Sequence, residues 1–538
     1  MVGQSYRGPE PKVESGRRSG ERASIRQERD YFNAYARHYS LPLCDDSRLE
    51  SLPHRRRFES LFLGCLLLLL TTGIVAYSQI HAFAWDEGFH ILIAQLIKRG
   101  RKPYIDFVFS QTPLNAYWNA FWMSVFGESW RVPHAIAALS TGGAVALVTI
   151  FVWARFPEPR WRFPATVLVA MLVGLNVLVV RYGGIAQAYG LCLLMTVAAF
   201  RAAVAAVERR AVILPLVAGL ACGIAAGSSL LTAPVGPVLL VWILVYNQAG
   251  SRLRKLVAFM LGEVTAFIPV IWLFAESPAR VWFGIVEYNF YYRLLDWPGA
   301  TRQNFEVLIS WIDSGPTLLL LLLAAGGLLF VRFRSPWEPS RKREFYLCAW
   351  LAVAIFLHLS TARPTFARYY VFAVPFLGIL AVAGVYAAGS SLYRPDRPWQ
   401  PVVLLALLAA FGLTKALYDE RDDMVWHDLE ITAAKVREVT APGQTLDADE
   451  AIYFLTGQPP PSGMEMRDSH KFRFPPDRDA FLHVIPQPEL DRQVKAGKFD
   501  TLETCSGDEF IEEHAYAAEY AKSADAGECK VFWDKKRP

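Results

Sequence analysis

Charge is what this 538-residue sequence has little of. Asp, Glu, Lys and Arg make up only 20% of it, against 53% hydrophobic residues and a mean hydropathy of +0.23. That balance is too apolar for an ordinary soluble enzyme of this length and points to a membrane protein. The formal net charge is only +5; no nucleic acid partner is expected, and the positions of Lys and Arg matter more than their sum. Cysteine is sparse and unpatterned: the seven residues form no CxxC pair and no Cys/His ligand spacing. Cys65, Cys192, Cys222 and Cys348 lie in apolar runs, where an inert buried thiol is the default. Cys505 and Cys529 are the one pair in the polar tail; they form a disulfide if that tail faces an oxidising compartment, or stay as two thiols, and spacing does not decide between these. No secretory signal is visible either. Residues 1–57 are polar and Arg-rich, which fits a disordered cytoplasmic leader.

What is present is a series of apolar runs long enough to cross a bilayer, each of roughly 20 residues. Candidate spans fall at 58–78, 132–154, 163–181, 185–206, 211–230, 232–247, 256–275, 315–331, 345–361, 370–391 and 399–417. The expectation is therefore an all-α polytopic membrane domain of about eleven transmembrane helices. His54, Arg55, Arg56 and Arg57 precede the first span and hold that end inside. Alternate loops should then be cytoplasmic, and each is basic: Arg155/Arg160/Arg162, Arg209/Arg210, Arg252/Arg254/Lys255, Arg332/Arg334/Arg341/Lys342/Arg343 and Arg394/Arg397. The first outer loop, 79–131, breaks the pattern with Lys98, Arg99, Arg101 and Lys102, which fits a loop that meets phosphate headgroups. A second long outer loop, 276–314, carries the aromatic-dense VWFGIVEYNFYYRLLDWPG, readable as an interfacial helix or as a wall of a substrate groove. By the same parity the tail, 418–538, lies outside. A helix is expected over 428–439, followed by short apolar runs at 451–455, 481–485 and 530–533 separated by Pro/Gly turns, which reads as a small α/β extracytoplasmic domain acting as lid or scaffold.

Chemistry concentrates just after the first span, in AWDEGFHILIAQLIKRGRKPYIDFVFSQTPL. Asp86 and Glu87 open a segment whose Phe89, Leu92, Ile93, Leu96 and Ile97 form a helical stripe closed by Gly100. Asp86 either caps an amphipathic interfacial helix or acts as a general base toward an acceptor hydroxyl or phosphate oxygen. His90 lies on the same helical face, four residues on; it is a satisfied interfacial histidine, or shares a divalent ion with Asp86. Asp106 and Gln111 flank FVFS ahead of Pro113, which fits the first turn of a new helix, and offer a second polar contact. Arg363 and Arg368 in TARPTFARYY sit at the outer boundary, as snorkelling anchors or as phosphate ligands.

The stretch PLNAYWNAFWMSVFGESWRVPHAIAALSTGGAVALVTIFVWARF resembles the early region of the protein-mannosyltransferase and aminoarabinose-transferase type membrane glycosyltransferases, which have a multispan GT-C fold. The features that carry the resemblance are Asp86-Glu87, Thr112-Pro113-Leu114, Phe126-Gly127, Arg131 and the later RYYVFAVPFLGIL with Pro375 inside the span. The resemblance covers residues 58–417. It implies a polyprenyl-phosphate-linked sugar donor, catalysis on the non-cytoplasmic face, Asp86 as base, and outer-loop basic residues near the donor phosphate, for which Arg363 and Arg368 are the candidates; Glu87 and Asp106 are read beside it as supports of that base. Together with the charge pattern and span parity above, the expectation is a bacterial inner-membrane location with a cytoplasmic N-terminus and a periplasmic C-terminal domain. Some relatives carry a further acidic residue near the outer start of the fourth span. Here RYGGIAQAYG offers Gln187 and Tyr189 instead, so substrate contacts from that side fall to them, with His90 and Gln111. The acceptor, whether lipid, glycan or protein, is left open. A polysaccharide polymerase or ligase would lack the early acidic motif, and a transporter or flippase should show repeated halves, of which there is no sign.

Overall fold

The computed structural model describes residues 53–292, 299–362, 364–392 and 398–536. Residues 1–52 of the expected leader and Arg363 thus lie outside the described residues, while residues 53–57, expected to be disordered, are helical and open the helix Pro53–Ser78. The chain divides after Phe62; only the helical stretch from Pro53 is described in the first unit, and Leu63–Pro538 form the second.

Among the described residues, seven helices are long and apolar enough to cross a membrane: the one ending at Ser78, then Arg131–Arg155, Tyr189–Glu208, Gly315–Phe333, Pro339–Thr361, Ala367–Ser390 and Trp399–Asp419. Two further candidate spans are bent pairs. Pro159–Gly174 meets Val177–Gly183 at 54°, and Arg252–Ala266 meets Ile268–Glu276 at 55°. Each bend has a local cause. Asn176 caps the second helix of the first pair by accepting from the Leu178 amide, and Pro269 near the start of Ile268–Glu276 has no N–H to continue the ladder. Counting each pair as one span gives up to nine, and Ile213–Ser228 and Leu230–Val245 are shorter apolar segments at the places expected for the fifth and sixth spans. The expected runs are thus largely helical, and among the described residues up to nine, two of them bent pairs, reach spanning length. Small residues let the helices close up: a Cβ on Gly327 would strike the Leu380 carbonyl, and one on Gly384 the Leu323 carbonyl, so Gly315–Phe333 and Val374–Leu392 cross nearly backbone to backbone.

The first outer loop folds into helices Ala84–Lys98 and Leu114–Phe126. The former is not an interfacial helix with one wet face. Ile91, Leu92, Ile93, Ala94 and Leu96 are all fully buried, because the C-terminal segment covers the side that the membrane helices do not. That segment starts with helix Trp426–Val439 and builds a four-stranded sheet from β1 (Leu446–Asp447), β2 (Thr501–Thr504), β3 (Tyr520–Ala526) and β4 (Cys529–Lys535), in the order β1-β2-β4-β3. β1 and β2 are parallel; the other pairings are antiparallel. Of the apolar runs expected in the tail, 530–533 is strand, but 451–455 lies in helix Glu450–Thr456. Cys505 and Cys529 are joined in a disulfide.

The tail is seated on the first outer loop by specific contacts. Trp426 stacks on Trp130 with ring centroids 4.6 Å apart, Trp130 Nε1 and Arg131 Nη1 both donate to Glu430 Oε1 at 2.9 Å, and Arg101 pairs with Glu465 at 2.7 Å. Arg131, one of the residues carrying the family resemblance, therefore ties the tail down rather than facing the cavity.

Candidate active site

A cavity of about 520 Å³ lies where the first outer loop, the starts of several membrane helices and the tail converge. This is an ordinary volume for a small-molecule site. Asp86, His90, Gln111, Gln187, Tyr189 and Arg368 all line it. Six of the residues singled out in the sequence, separated by up to 282 positions, thus share one hollow.

Arg368 and Asp86 form its central pair. Arg368 Nη2 donates to Asp86 Oδ2 at 2.7 Å and its Nε donates to the Tyr189 hydroxyl at 3.1 Å. The guanidinium also lies over the rings of Phe366, Phe83 and Tyr369, 4.1, 5.0 and 5.4 Å from their centroids, so its direction is fixed by stacking as well as by hydrogen bonds. The Arg368 side chain is only 14% exposed and that of Asp86 42%. Asp86 sits in the first turn of its helix, yet it does not cap it.

The capping contact belongs to Glu87. Its Oε2 accepts from the Phe83 amide at 3.2 Å, and its Oε1 accepts from the Ala186 amide at 2.6 Å and meets His134 Nε2. Burial drives the Glu87 carboxyl up, but His134 and the two amides more than offset this and hold it below the ordinary carboxylate value. Glu87 has no exposed surface and does not line the cavity, which corrects its expected place among catalytic groups. Asp106 is likewise a structural group: its Oδ2 accepts from the Lys102 amide at 2.6 Å and its carbonyl accepts from Arg101, closing a tight turn outside the cavity. His90 faces the cavity but is 96% shielded. Burial pushes its ring down to about 4, against the pull of Asp86 and Glu87, so the imidazole is neutral at pH 7.

Several contributors left no mark in the sequence reading. Asn115 and Asn119, one turn apart on Leu114–Phe126, both donate to the Ala186 carbonyl, at 3.0 and 2.7 Å. With Glu87 on the amide, the Ala186 peptide is held from both sides, and Gln187 is set at the cavity wall. Two asparagines at i and i+4 in an apolar helix were the available signal, since a buried amide needs a partner. The tail contributes Asp449, Glu450, Arg467, Asp468, His470, Lys471, Gln487 and Ser506. Tyr288 and Asn289 also line the cavity, so the aromatic outer loop does form a wall. Among the described residues, Glu503, Cys505 and Cys529 are the group placed closely enough to hold a metal, and their two sulfurs are spent in the disulfide.

A comparison with known protein families finds none that matches the chain. Over 266 residues the chain is 27% identical to the undecaprenyl phosphate-alpha-4-amino-4-deoxy-L-arabinose arabinosyl transferase of Pseudomonas savastanoi pv. phaseolicola, a stretch covering 48% of each. The chain thus spans about half the length of this curated relative in the match. In fold it is similar to ArnT from Cupriavidus metallidurans, whose crystal structure is bound to undecaprenyl phosphate; the TM-score is 0.60 at 14% identity, over 88% of this chain and 97% of that one. The expected helical membrane part with a small C-terminal α/β segment is borne out in that coarse form, and the fold as a whole is similar to that of this ArnT.

Proposed function

We propose that the chain is an integral-membrane glycosyltransferase that moves a sugar from a polyprenyl-phosphate-linked donor to an acceptor outside the cytoplasm. The observation that carries this reading is the Asp86–Arg368 pair, a carboxylate and a guanidinium 2.7 Å apart in one cavity beside the ends of candidate membrane helices. A donor phosphate competes with Asp86 for Arg368, since a guanidinium binds phosphate bidentately. Released from Arg368, the Asp86 carboxylate accepts the proton of the acceptor hydroxyl. The acceptor oxygen bonds to the anomeric carbon as the bond from that carbon to the phosphate oxygen breaks, with inversion, and the departing phosphate keeps its charge on Arg368. Arg363 is assigned to the same phosphate. Glu87, Asn115 and Asn119 are positioning residues, and Gln111, Gln187, Tyr189 and neutral His90 shape the cavity. The reading routes no step through a metal ion.

The topology proposed with it has eleven crossings, each bent pair and each shorter apolar segment counted as one, in a bacterial inner membrane with the N-terminus cytoplasmic. Residues 58–417 form the catalytic part, and 418–538 a periplasmic domain. The Cys505–Cys529 disulfide supports that side, since such bonds persist in oxidising compartments. Likeness to two proteins whose names or bound ligands include undecaprenyl phosphate supports the donor class. The test is direct: purified protein in liposomes is given radiolabelled polyprenyl-phosphate sugars and extracts of the outer envelope. Label moving from the lipid phosphate into an acceptor supports the reading; label that stays on every donor offered argues against it.

A further inference from the structure

The sequence motifs around Asp86 account for only part of the cavity lining. Asp449, Glu450, Arg467, Asp468, Lys471 and Gln487 face the same hollow, and all belong to the C-terminal segment. They are fixed by contacts with one another and with the backbone of the same wall. Arg467 Nη1 pairs with Asp449 Oδ1, the Arg467 amide donates to Glu450 Oε1 at 2.7 Å, and the Cys505 amide donates to Asp449 Oδ2 at 3.2 Å. About a quarter of the Asp449 and Arg467 side chains is open to solvent. Gly88 makes the arrangement possible: a Cβ there would come within 2.7 Å of the Ala451 amide nitrogen, so the helix beginning at Glu450 seats directly against the helix that carries Asp86.

We propose that these residues form a saccharide subsite, holding the hydroxyl-rich group that is donated or accepted in the transfer. The inference rests on the glycosyltransferase reading and names which part of the chain selects the sugar. Three carboxyl groups face two cations, and burial with nearby Asp449 raises Glu450 to about 7. The charges are therefore close to balance, which attracts neither a polyphosphate nor a polycation. Lys471 stands 3.9 Å from Asp468 and Gln487 Nε2 donates to Asp491 at 2.8 Å, but an ammonium has three N–H donors and a side-chain amide two, so carboxylates, a guanidinium, an ammonium and an amide together offer the mixed acceptors and donors that a neutral or zwitterionic polyhydroxylated ring satisfies.

The test uses the full chain in liposomes with Lys471→Ala and Gln487→Ala, whose side chains are not the partners in the Asp449–Arg467 contacts. Binding of undecaprenyl phosphate, which has no sugar, should stay within about twofold of wild type, while a saccharide KM rises about tenfold for Lys471→Ala, the cost of one lost charge-assisted contact, and about threefold for Gln487→Ala, the cost of a neutral one. A rise confined to the donor KM places the donated sugar in the subsite; one confined to the acceptor KM places the acceptor there. Unchanged KM values in both variants, or an equal loss of undecaprenyl phosphate binding, overturn the subsite. Wild-type protein that neither binds undecaprenyl phosphate nor transfers sugar would instead overturn the glycosyltransferase reading beneath it.

Discussion

Asp86 and Glu87 are neighbours with opposite fates. A one-residue step turns a helical side chain by about 100°, so one carboxylate points into the cavity and the other into packed protein. That division was not legible in the sequence, where both sat in one acidic motif. The presence of Asp86 was legible, because a carboxylate directly after a long apolar run is conspicuous. Glu87→Ala should destabilise the protein by about 3 kcal/mol or more, since it leaves His134 and the Ala186 amide without their partner in a buried setting. A thermal melt of the detergent-solubilised variant measures this, and an unshifted midpoint would show that the network is not holding the loop.

Glu450 gives a pH-dependent counterpart. Its folded value of about 7 stands above the ordinary 4.5, so the folded state holds its proton longer than the unfolded chain does. Its contribution to stability is therefore intact below about 4.5, fades as pH rises toward 7, and is a full penalty above that. Glu450→Gln keeps an acceptor for the Arg467 amide without the charge. The variant should melt higher than wild type at pH 8 and at the same temperature at pH 4.5; a shift of equal size at both would contradict the assignment.

At the scale of elements, the membrane helices could be read because hydropathy is local and twenty apolar residues announce themselves. The bends could not, since Asn176 and Pro269 act through single hydrogen bonds inside continuous apolar runs. The seating of the tail was also hidden. Contacts such as Trp426 on Trp130 join residues about three hundred positions apart, and no periodicity encodes them. The aromatic segment around Tyr288 was open between belt and wall for the same reason. The disulfide is the staple of this region, fixing the loop from which the Cys505 amide holds Asp449. It closes a separation of 24 residues, which by chain entropy corresponds to about 3 kcal/mol. The double variant Cys505→Ser/Cys529→Ser should lose roughly that much in a denaturant titration of the tail, followed by Trp fluorescence. Unchanged unfolding would mean that the sheet holds itself without the staple.

For the whole molecule, the fold class and the position of the early acidic motif were readable, whereas the cavity was not, because it exists only once the tail closes over the first outer loop. The account makes that enclosure functional: lipid phosphate is gripped by Arg368, and the freed Asp86 takes the acceptor proton. The measurement that bears on it most directly compares wild type with Asp86→Asn in liposomes, following undecaprenyl phosphate binding, thermal midpoint and sugar transfer in the same preparations. The account predicts that the variant keeps its fold and its lipid phosphate binding and loses transfer by about a hundredfold or more. Transfer at the wild-type rate by a folded Asp86→Asn protein would contradict it.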